Sequence, residues 1–398
     1  MKIKYGVVLL AAATLLAGCA GFWDAPTSTS TTTTTPTTLS SGVFYVLNQT
    51  TKQIAAYFIS TGTLEQVSGS PYNLSSAPNC IAIAPGGGFL YVGTVSGIYL
   101  YSIGSGGALT IGNGGAVISS DIPAAMQVSG SWLIDTFSPG TGSVQLDAIP
   151  INASTGAYTG LGPEPSQTFK VTNASANQMV LSPDGTNLFV ALQAGGTIVV
   201  PFTAGNSNPL GSSATVIPVV NNGGSALSVA VDPTNRLFYI GETNANSAAD
   251  SGGLRVFNYS SLGSGTPRSA PTQITGSPIA SGGLSPHAIL PIASGEYVYV
   301  ANGQGNTGSG NISWFDISVS GTTYTIAFSN GIAAGIVPAG LAEDNDDNFV
   351  LAVSDGGSTS SGDPDLEAFT LSSGALTPAI KSVTGTDPVG AVAVAALP

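Results

Sequence analysis

The chain writes one phrase about seven times: an apolar run, a tight turn built from Pro, Asp or Gly, and a second apolar run. Near residue 80 it reads Pro78-Asn79-Cys80-Ile81-Ala82-Ile83-Ala84-Pro85, turns over Gly86 to Gly88, and resumes as Phe89-Leu90-Tyr91-Val92. Met179-Val180-Leu181-Ser182-Pro183-Asp184-Gly185 runs in the same way into Leu188-Phe189-Val190. Ser228-Val229-Ala230-Val231 leads into Leu237-Phe238-Tyr239-Ile240, and Ala288-Ile289-Leu290 into Tyr297-Val298-Tyr299-Val300. Gly340-Leu341-Ala342 runs through 343–348 into 349–353, and a weaker copy joins 126–128 to 132–134. A period near about fifty residues marks one supersecondary unit copied repeatedly, because such a unit cannot bury its apolar faces alone.

The residue types say what the unit is. Pro presets φ, and Asp-Gly or Gly-Gly supplies the positive φ that a short reversal needs. The flanking Val, Ile, Phe and Tyr suit pleated, crowded surfaces, and sustained 3.6-residue periodicity is absent. Third apolar segments recur at 54–59, 98–103, 144–149, 198–202, 254–259, 312–317 and 366–371. In the second copy a fourth strand is expected around 116–119. The first copy opens on a second-type strand at 43–46, and 391–395 reads as a first-type strand with no sequel. Joining the two closes a ring and leaves no open sheet edge. The expectation is an all-β, seven-bladed β-propeller over 42–398, with four-stranded antiparallel blades and the C-terminal strand pairing into the N-terminal blade.

Ahead of the repeat stand Lys2 and Lys4 and an apolar stretch at 7–16, too short to span a bilayer stably. It ends on Leu16-Ala17-Gly18-Cys19, which resembles the lipobox of bacterial lipoproteins. The resemblance implies a signal peptide over 1–18, a lipidated Cys19, and an address in the bacterial cell envelope. Ala20 after the cysteine points to the outer membrane, with the body periplasmic or surface-exposed. Residues 25–41 are almost all Thr, Ser and Pro, so 19–41 reads as a lipidated cysteine followed by a disordered tether, spanning about 25 Å. The membrane partner is reached through that lipid.

Charge and cysteine usage narrow the partners. There are 21 acidic side chains against 8 basic ones, of which Lys2 and Lys4 fall in the leader. Such a surface repels phosphate backbones, so nucleic acid is excluded as a partner. With Cys19 lipidated, Cys80 has no internal disulfide partner and reads as a small core residue.

Leu181-Ser182-Pro183-Asp184-Gly185-Thr186-Asn187-Leu188-Phe189-Val190 and Tyr297-Val298-Tyr299-Val300-Ala301-Asn302 resemble the lactonase-like, YVTN-type seven-bladed propellers. That family includes 6-phosphogluconolactonases, in which Arg, His and Glu at the channel mouth are proposed to bind and open the lactone. Pro286-His287 matches the family's Pro-Arg or Pro-His pair, but Pro78-Asn79, Pro338-Ala339 and Pro388-Val389 stand where other blades would carry theirs. The basic residues that would grip a phosphate are missing there. Arg236, Arg255 and Arg268 fall in a turn, at a third-strand start and in an outer loop.

His287 is the only histidine, so a metal site or triad built on histidine has one candidate. The loops between second and third strands should bring Glu242, Asn244, Asp250, Asn302, Asp355, Asp363 and Asp365 to the same rim. A carboxylate and an imidazole there would serve as base and acid, with His287 and Glu242 as the catalytic candidates. Asn79 and Asn302 are the candidate ligand contacts at the channel mouth. The run Glu343-Asp344-Asn345-Asp346-Asp347-Asn348 has oxygen ligands suited to calcium, but it occupies a turn and reads as surface. Gly303-Gln304-Gly305-Asn306-Thr307-Gly308 fits a dinucleotide fingerprint by letter only, since no helix follows. No cofactor and no metal are assigned. The leading expectation is a monomeric envelope propeller that binds a small molecule, a carbohydrate or another envelope protein. The alternatives are an extracytoplasmic lactone hydrolase and a scaffold that supplies only shape.

Overall fold

A computed structural model describes residues 42–60, 63–160, 164–245, 252–304, 308–355, 365–381 and 390–398. The leader, Cys19 and the tether, together with Asp250, Asp363 and Pro388-Val389, lie outside the described residues. Among the described residues, no helix is long and apolar enough to cross a membrane.

Seven antiparallel sheets stand around one axis. Blade 1 runs outward from Ala391–Ala396 through Val43–Asn48 and Gln53–Ser60 to Thr63–Gln66. The C-terminal strand therefore pairs into the N-terminal blade, with Phe44 opposite Ala396 and Val46 opposite Val394. Inner strands of blades 2 to 7 are Pro78–Ile83, Ala125–Ser129, Gln178–Leu181, Ala226–Val231, Ser285–Pro291 and Pro338–Glu343. Their second strands are Phe89–Thr94, Trp132–Gly140, Asn187–Ala191, Leu237–Glu242, Tyr297–Gln304 and Phe349–Ser354. The chain is a closed seven-bladed β-propeller.

Both faces of every central strand are covered, which is why these strands read as continuous apolar runs rather than alternating ones. Seven core clusters fill the seven gaps between blades. Val43, Tyr45 and Leu47 meet Leu90 and Val92 between blades 1 and 2, and Leu351 and Val353 meet Phe44 and Val46 where the ring closes. Phe189 packs at 4.9 Å on Phe238, which stacks at 4.8 Å on Phe257, across blades 4 and 5.

One polar device recurs in these gaps. Tyr45, Tyr91, Tyr239 and Tyr299 hold the same register in their second strands and are fully buried. Three hydroxyls donate to a glycine carbonyl in the next blade: Tyr45 to Gly107 (2.9 Å), Tyr91 to Gly156 (2.8 Å) and Tyr299 to Gly374 (2.8 Å). Each acceptor is a positive-φ glycine of the turn between third and outer strands. A Cβ on Gly374 would lie 2.1 Å from the Tyr297 ring, so the turn needs glycine. Tyr239 is the exception, and its hydroxyl has no hydrogen-bond partner. In the next blade the hairpin Gly308–Ser320 and Thr323–Ile336 carries on past Asp316, the partner of Tyr297, so its turn at Gly321 is out of reach.

The outer strands depart most from expectation. In blade 2 the fourth strand is Leu109–Ile111, and Ser119 makes only an isolated bridge to Ile98. Tyr259 ends its third strand early by starting a short 3-10 helix, Tyr259–Leu262. Cys80 is buried in its inner strand, with its Sγ 3.6 Å from the Pro123 carbonyl.

Candidate functional site

Bulges at the start of the inner strands build the site. Pro78 opposes Thr94 and Cys80 opposes Gly93, so Asn79 is an extra residue without a partner. The same shift isolates Leu227, His287, Ala339 and Val392 in blades 5, 6, 7 and 1. A bulge re-aims the extra side chain, which is why bulges gather at functional rims. The register position matching Asn79 and His287 in blade 1 is thus Val392 rather than Val389. Asn79, His287, Ala339 and Val392 all line an axial cavity of about 530 Å³, together with Gln49, Gln127, Asn177, Gln178 and Asp355. Small side chains, including Ala124, Ala125, Ala176, Ala288 and Ala393, keep it open.

Most of the amides in this cavity already hold blades together. Gln49 donates to the Pro78 carbonyl (3.2 Å) and Gln127 to that of Met179 (3.1 Å). Gln178 accepts from the Val229 N–H (2.8 Å), and Asn177 donates to the Leu227 carbonyl. Each bond reaches the next inner strand, and together they make a partial girdle that ties blade 1 to 2, 3 to 4 and 4 to 5. Asn79 and His287 make no hydrogen bond to the protein among the described residues. They are the two bulged polar side chains whose capacity remains for a ligand.

His287 is half-buried and its pKa is lowered, first by burial, with the Asp355 carboxylate raising it in opposition. At neutral pH the ring is therefore uncharged and able to accept a proton. Gly303 backs it. A Cβ there would sit 3.0 Å from both Cδ2 and Nε2 of the imidazole, so the absent side chain leaves the ring its place.

The other residues proposed from the sequence are placed elsewhere. Glu242 is fully buried, its Oε2 2.9 Å from Arg255 Nη1, while its Oε1 accepts from the Val220 N–H. Burial raises its pKa and Arg255 lowers it. It does not line the cavity with His287. Asn302 is also fully buried, and its amide donates to the Ser281 carbonyl (3.0 Å) and Ser313 Oγ (3.2 Å). Glu242 and Asn302 occupy one repeat position, shared with Asn48, Thr94, Thr136 and Ser354, each buried. At that position the side chain serves the blade's own structure: Thr94 donates to the Gly97 carbonyl (2.9 Å) and Thr136 to that of Gln145 (3.0 Å). Of the rim carboxylates, Asp355 reaches the cavity and Asp365 is buried at the start of its third strand.

No described basic residue lines the cavity. Arg236 pairs with Asp232 at 2.8 Å, Arg255 with Glu242, and Arg268 donates to Asn187 Oδ1 and the Thr186 carbonyl. In the run 343–348, Asp344 Oδ1 accepts from the N–H groups of Asn348 (2.7 Å) and Phe349 (2.6 Å), closing the turn. The loop 303–308 lies partly outside the described residues. Asp355 reaches the cavity from the rim where the loop order put it, whereas the inter-blade amides had no motif to announce them, because only the register sends them to the axis.

No family model matches the chain, and no curated protein does. Solved structures share its architecture. A candidate 6-phosphogluconolactonase from Bacteroides uniformis superposes with a TM-score of 0.65 at 15% identity, over 89% of this chain and 99% of that one. The periplasmic gluconolactonase PpgL of Pseudomonas aeruginosa gives 0.64 at 17%, over 90% and 99%. Hydrazine synthase of Kuenenia stuttgartiensis gives 0.56 at 14%, over 86% and 93%. At these identities the likeness shows a shared propeller fold alone, and the neighbours' names run from gluconolactonases to hydrazine synthase.

Proposed function

We propose that the propeller binds a small, uncharged, polyhydroxylated compound at the channel mouth, held by Asn79 and His287. One observation carries the reading: a polar axial cavity in which two bulged side chains have unspent hydrogen-bonding capacity and which, among the described residues, no Lys or Arg lines. Hydroxyl groups match amide and imidazole donors and acceptors, whereas a phosphate or carboxylate would meet Asp355 and no countercharge. Among the described residues, no Phe, Tyr or Trp ring lines the cavity. Recognition therefore rests on hydrogen bonds rather than on stacking of a sugar face.

Lactone hydrolysis is the second reading, favoured by the neutral His287 beside Asp355. His287 would take a proton from water as it attacks the lactone carbonyl, Asp355 would stabilise the imidazolium that forms, and the imidazolium would return the proton to the ring oxygen as its bond to the acyl carbon breaks. The fold neighbours include a gluconolactonase, which makes an unphosphorylated aldonolactone the first compound to try. Thermal-shift measurements with neutral sugars, aldonolactones and their phosphorylated forms test the binding reading. A shift with neutral compounds, lost in His287→Ala, supports it, and a preference for the phosphorylated forms contradicts it. Proton release from the lactone, followed at constant pH, separates turnover from binding.

We place the protein in the envelope, lipidated on Cys19 with 19–41 as its tether. The support is the run Leu16-Ala17-Gly18-Cys19 and the Thr-rich composition behind it. Labelling with a radioactive fatty acid should mark the wild-type chain and leave Cys19→Ala unmarked.

A further inference from the structure

Blade 3 holds a feature the channel does not use. Asp135, on the strand Trp132–Gly140, stands directly opposite Asp147, on the strand Ser143–Pro150. Their side chains share the face turned towards blade 2, where Leu133 and Ile149 pack against Tyr91 and Ile98. Like charges directly opposite on adjacent strands repel, and burial between two blades sharpens the repulsion. Asp121 joins them from the segment that links blade 2 to blade 3. One carboxylate oxygen from each of the three lies within 4.8 Å of the others.

Asp135 is the telling member. It is fully buried, and neither of its carboxylate oxygens has a hydrogen-bond partner. The Asp147 backbone N–H eases its charge without completing a hydrogen bond. Its neighbours are better supplied. Asp121 Oδ2 accepts from Ser119 Oγ (2.6 Å), and both Asp147 oxygens accept from Gln145 Nε2 (3.1 and 3.0 Å). Glu164 stands close enough for its charge to act on Asp135, and it is bonded to the Tyr158 phenol. The two ion pairs among the described residues lie elsewhere, so no basic side chain answers these four carboxylates. Burial, then Asp121, Asp147 and Glu164, push Asp135 well above the usual carboxylate range.

We infer that Asp121, Asp135 and Asp147, with Glu164 beside them, form a binding site for a hard divalent cation, calcium foremost. Two oxygens on one calcium lie at most about 5 Å apart, twice the metal–oxygen distance, and this set fits that limit. An all-carboxylate donor set favours calcium or magnesium over softer metals. The ion has a route in. Asp121 is partly exposed and lines a side pocket on the mouth face with Asn79, Ser120, Pro123 and Phe137. A bound ion would pin the linking segment to blade 3 and fix the wall of the mouth beside Asn79. The inference is independent of what the channel binds.

The test uses the purified protein stripped of metal with a chelating resin. Calcium added back should raise the melting temperature by several degrees, with magnesium weaker. Terbium should luminesce on excitation of tyrosine, since Tyr158 sits against Glu164. Asp135→Asn and Asp147→Asn should each lose the calcium shift while remaining at least as stable as the metal-free wild type. That pairing distinguishes a metal ligand from a residue needed only for folding, whose loss would lower stability and leave the shift in place. Asp346→Asn, in the acidic run, should behave as wild type. Absence of any calcium shift in the wild type would overturn the inference, as would a shift retained in both blade 3 variants or lost only in Asp346→Asn.

Discussion

Tyr91 and Tyr239 pose the same residue in the same register with opposite hydrogen-bond outcomes. Removing the Tyr91 hydroxyl strands the Gly156 carbonyl in a closed gap, so Tyr91→Phe should cost about 1–2 kcal/mol in denaturant unfolding. Tyr239→Phe removes a hydroxyl that has no partner and should fall within about 0.5 kcal/mol of wild type, or stabilise slightly. Equal losses at both positions would contradict the assignment. Glu343 makes a second prediction. Burial pushes it up to about 7, the Ala293 N–H (2.9 Å) eases it, and Asp347 and Asp344 add to the rise. The folded state thus holds this proton more tightly than the unfolded state does. Below the ordinary glutamate value both states are protonated and nothing is lost. As pH climbs from about 4.5 to 7 the unfolded chain ionises first, and wild-type stability falls. Glu343→Gln should match wild type near pH 4 and exceed it by about 1–2 kcal/mol near pH 8, allowing for partial solvent access. A gain that does not depend on pH would rule out this cause.

At the scale of strands, legibility followed burial. Second and third strands are covered on both faces, so their apolar runs stood out, and the third strands at 98–103 and 366–371 match Gly97–Ile103 and Leu366–Ser372 closely. Outside blade 6 the outer strands are shorter and half-exposed, so Leu109–Ile111 carried little signal while the more apolar 116–119 attracted the assignment. The bulges were hidden because an extra residue is defined by its partner strand. Glu242 was legible in principle. Asn48, Thr94 and Ser354 end the same strand in other copies and Asn302 holds the same register, and a polar residue repeated in register speaks for structure before chemistry. Asp135 and Asp147 were not legible, since only the pairing of their strands brings them face to face. The closing strand supplies the prediction at this level. Without Ala391–Ala396, the edge Val43–Asn48 and the apolar faces on either side of it are uncovered. Truncation after residue 390 should lower stability by at least about 3 kcal/mol, the scale of one buried aliphatic side chain, and promote aggregation. A synthetic peptide of residues 390–398 should reverse part of the loss. Unchanged thermal unfolding in the truncated chain would show that the ring does not depend on this closure.

Across the whole molecule, the ring separates two duties. The seven gaps hold the apolar mass and the tyrosine bonds, while the axis collects polar side chains from inner strands far apart in sequence. Gln49, Gln127, Asn177 and Gln178 spend their amides joining neighbouring blades. Asn79 and His287, displaced by bulges in blades 2 and 6, do not. The recognition account stands on that difference, and titration calorimetry of the wild type, Asn79→Ala, His287→Ala and Gln127→Ala with a neutral polyhydroxylated ligand tests it most directly. Loss of a ligand bond at either bulged residue should weaken binding about tenfold. Gln127→Ala should lower the melting temperature with much less effect on affinity. Affinity unchanged in both bulge variants, or lost equally in all three, would contradict the account.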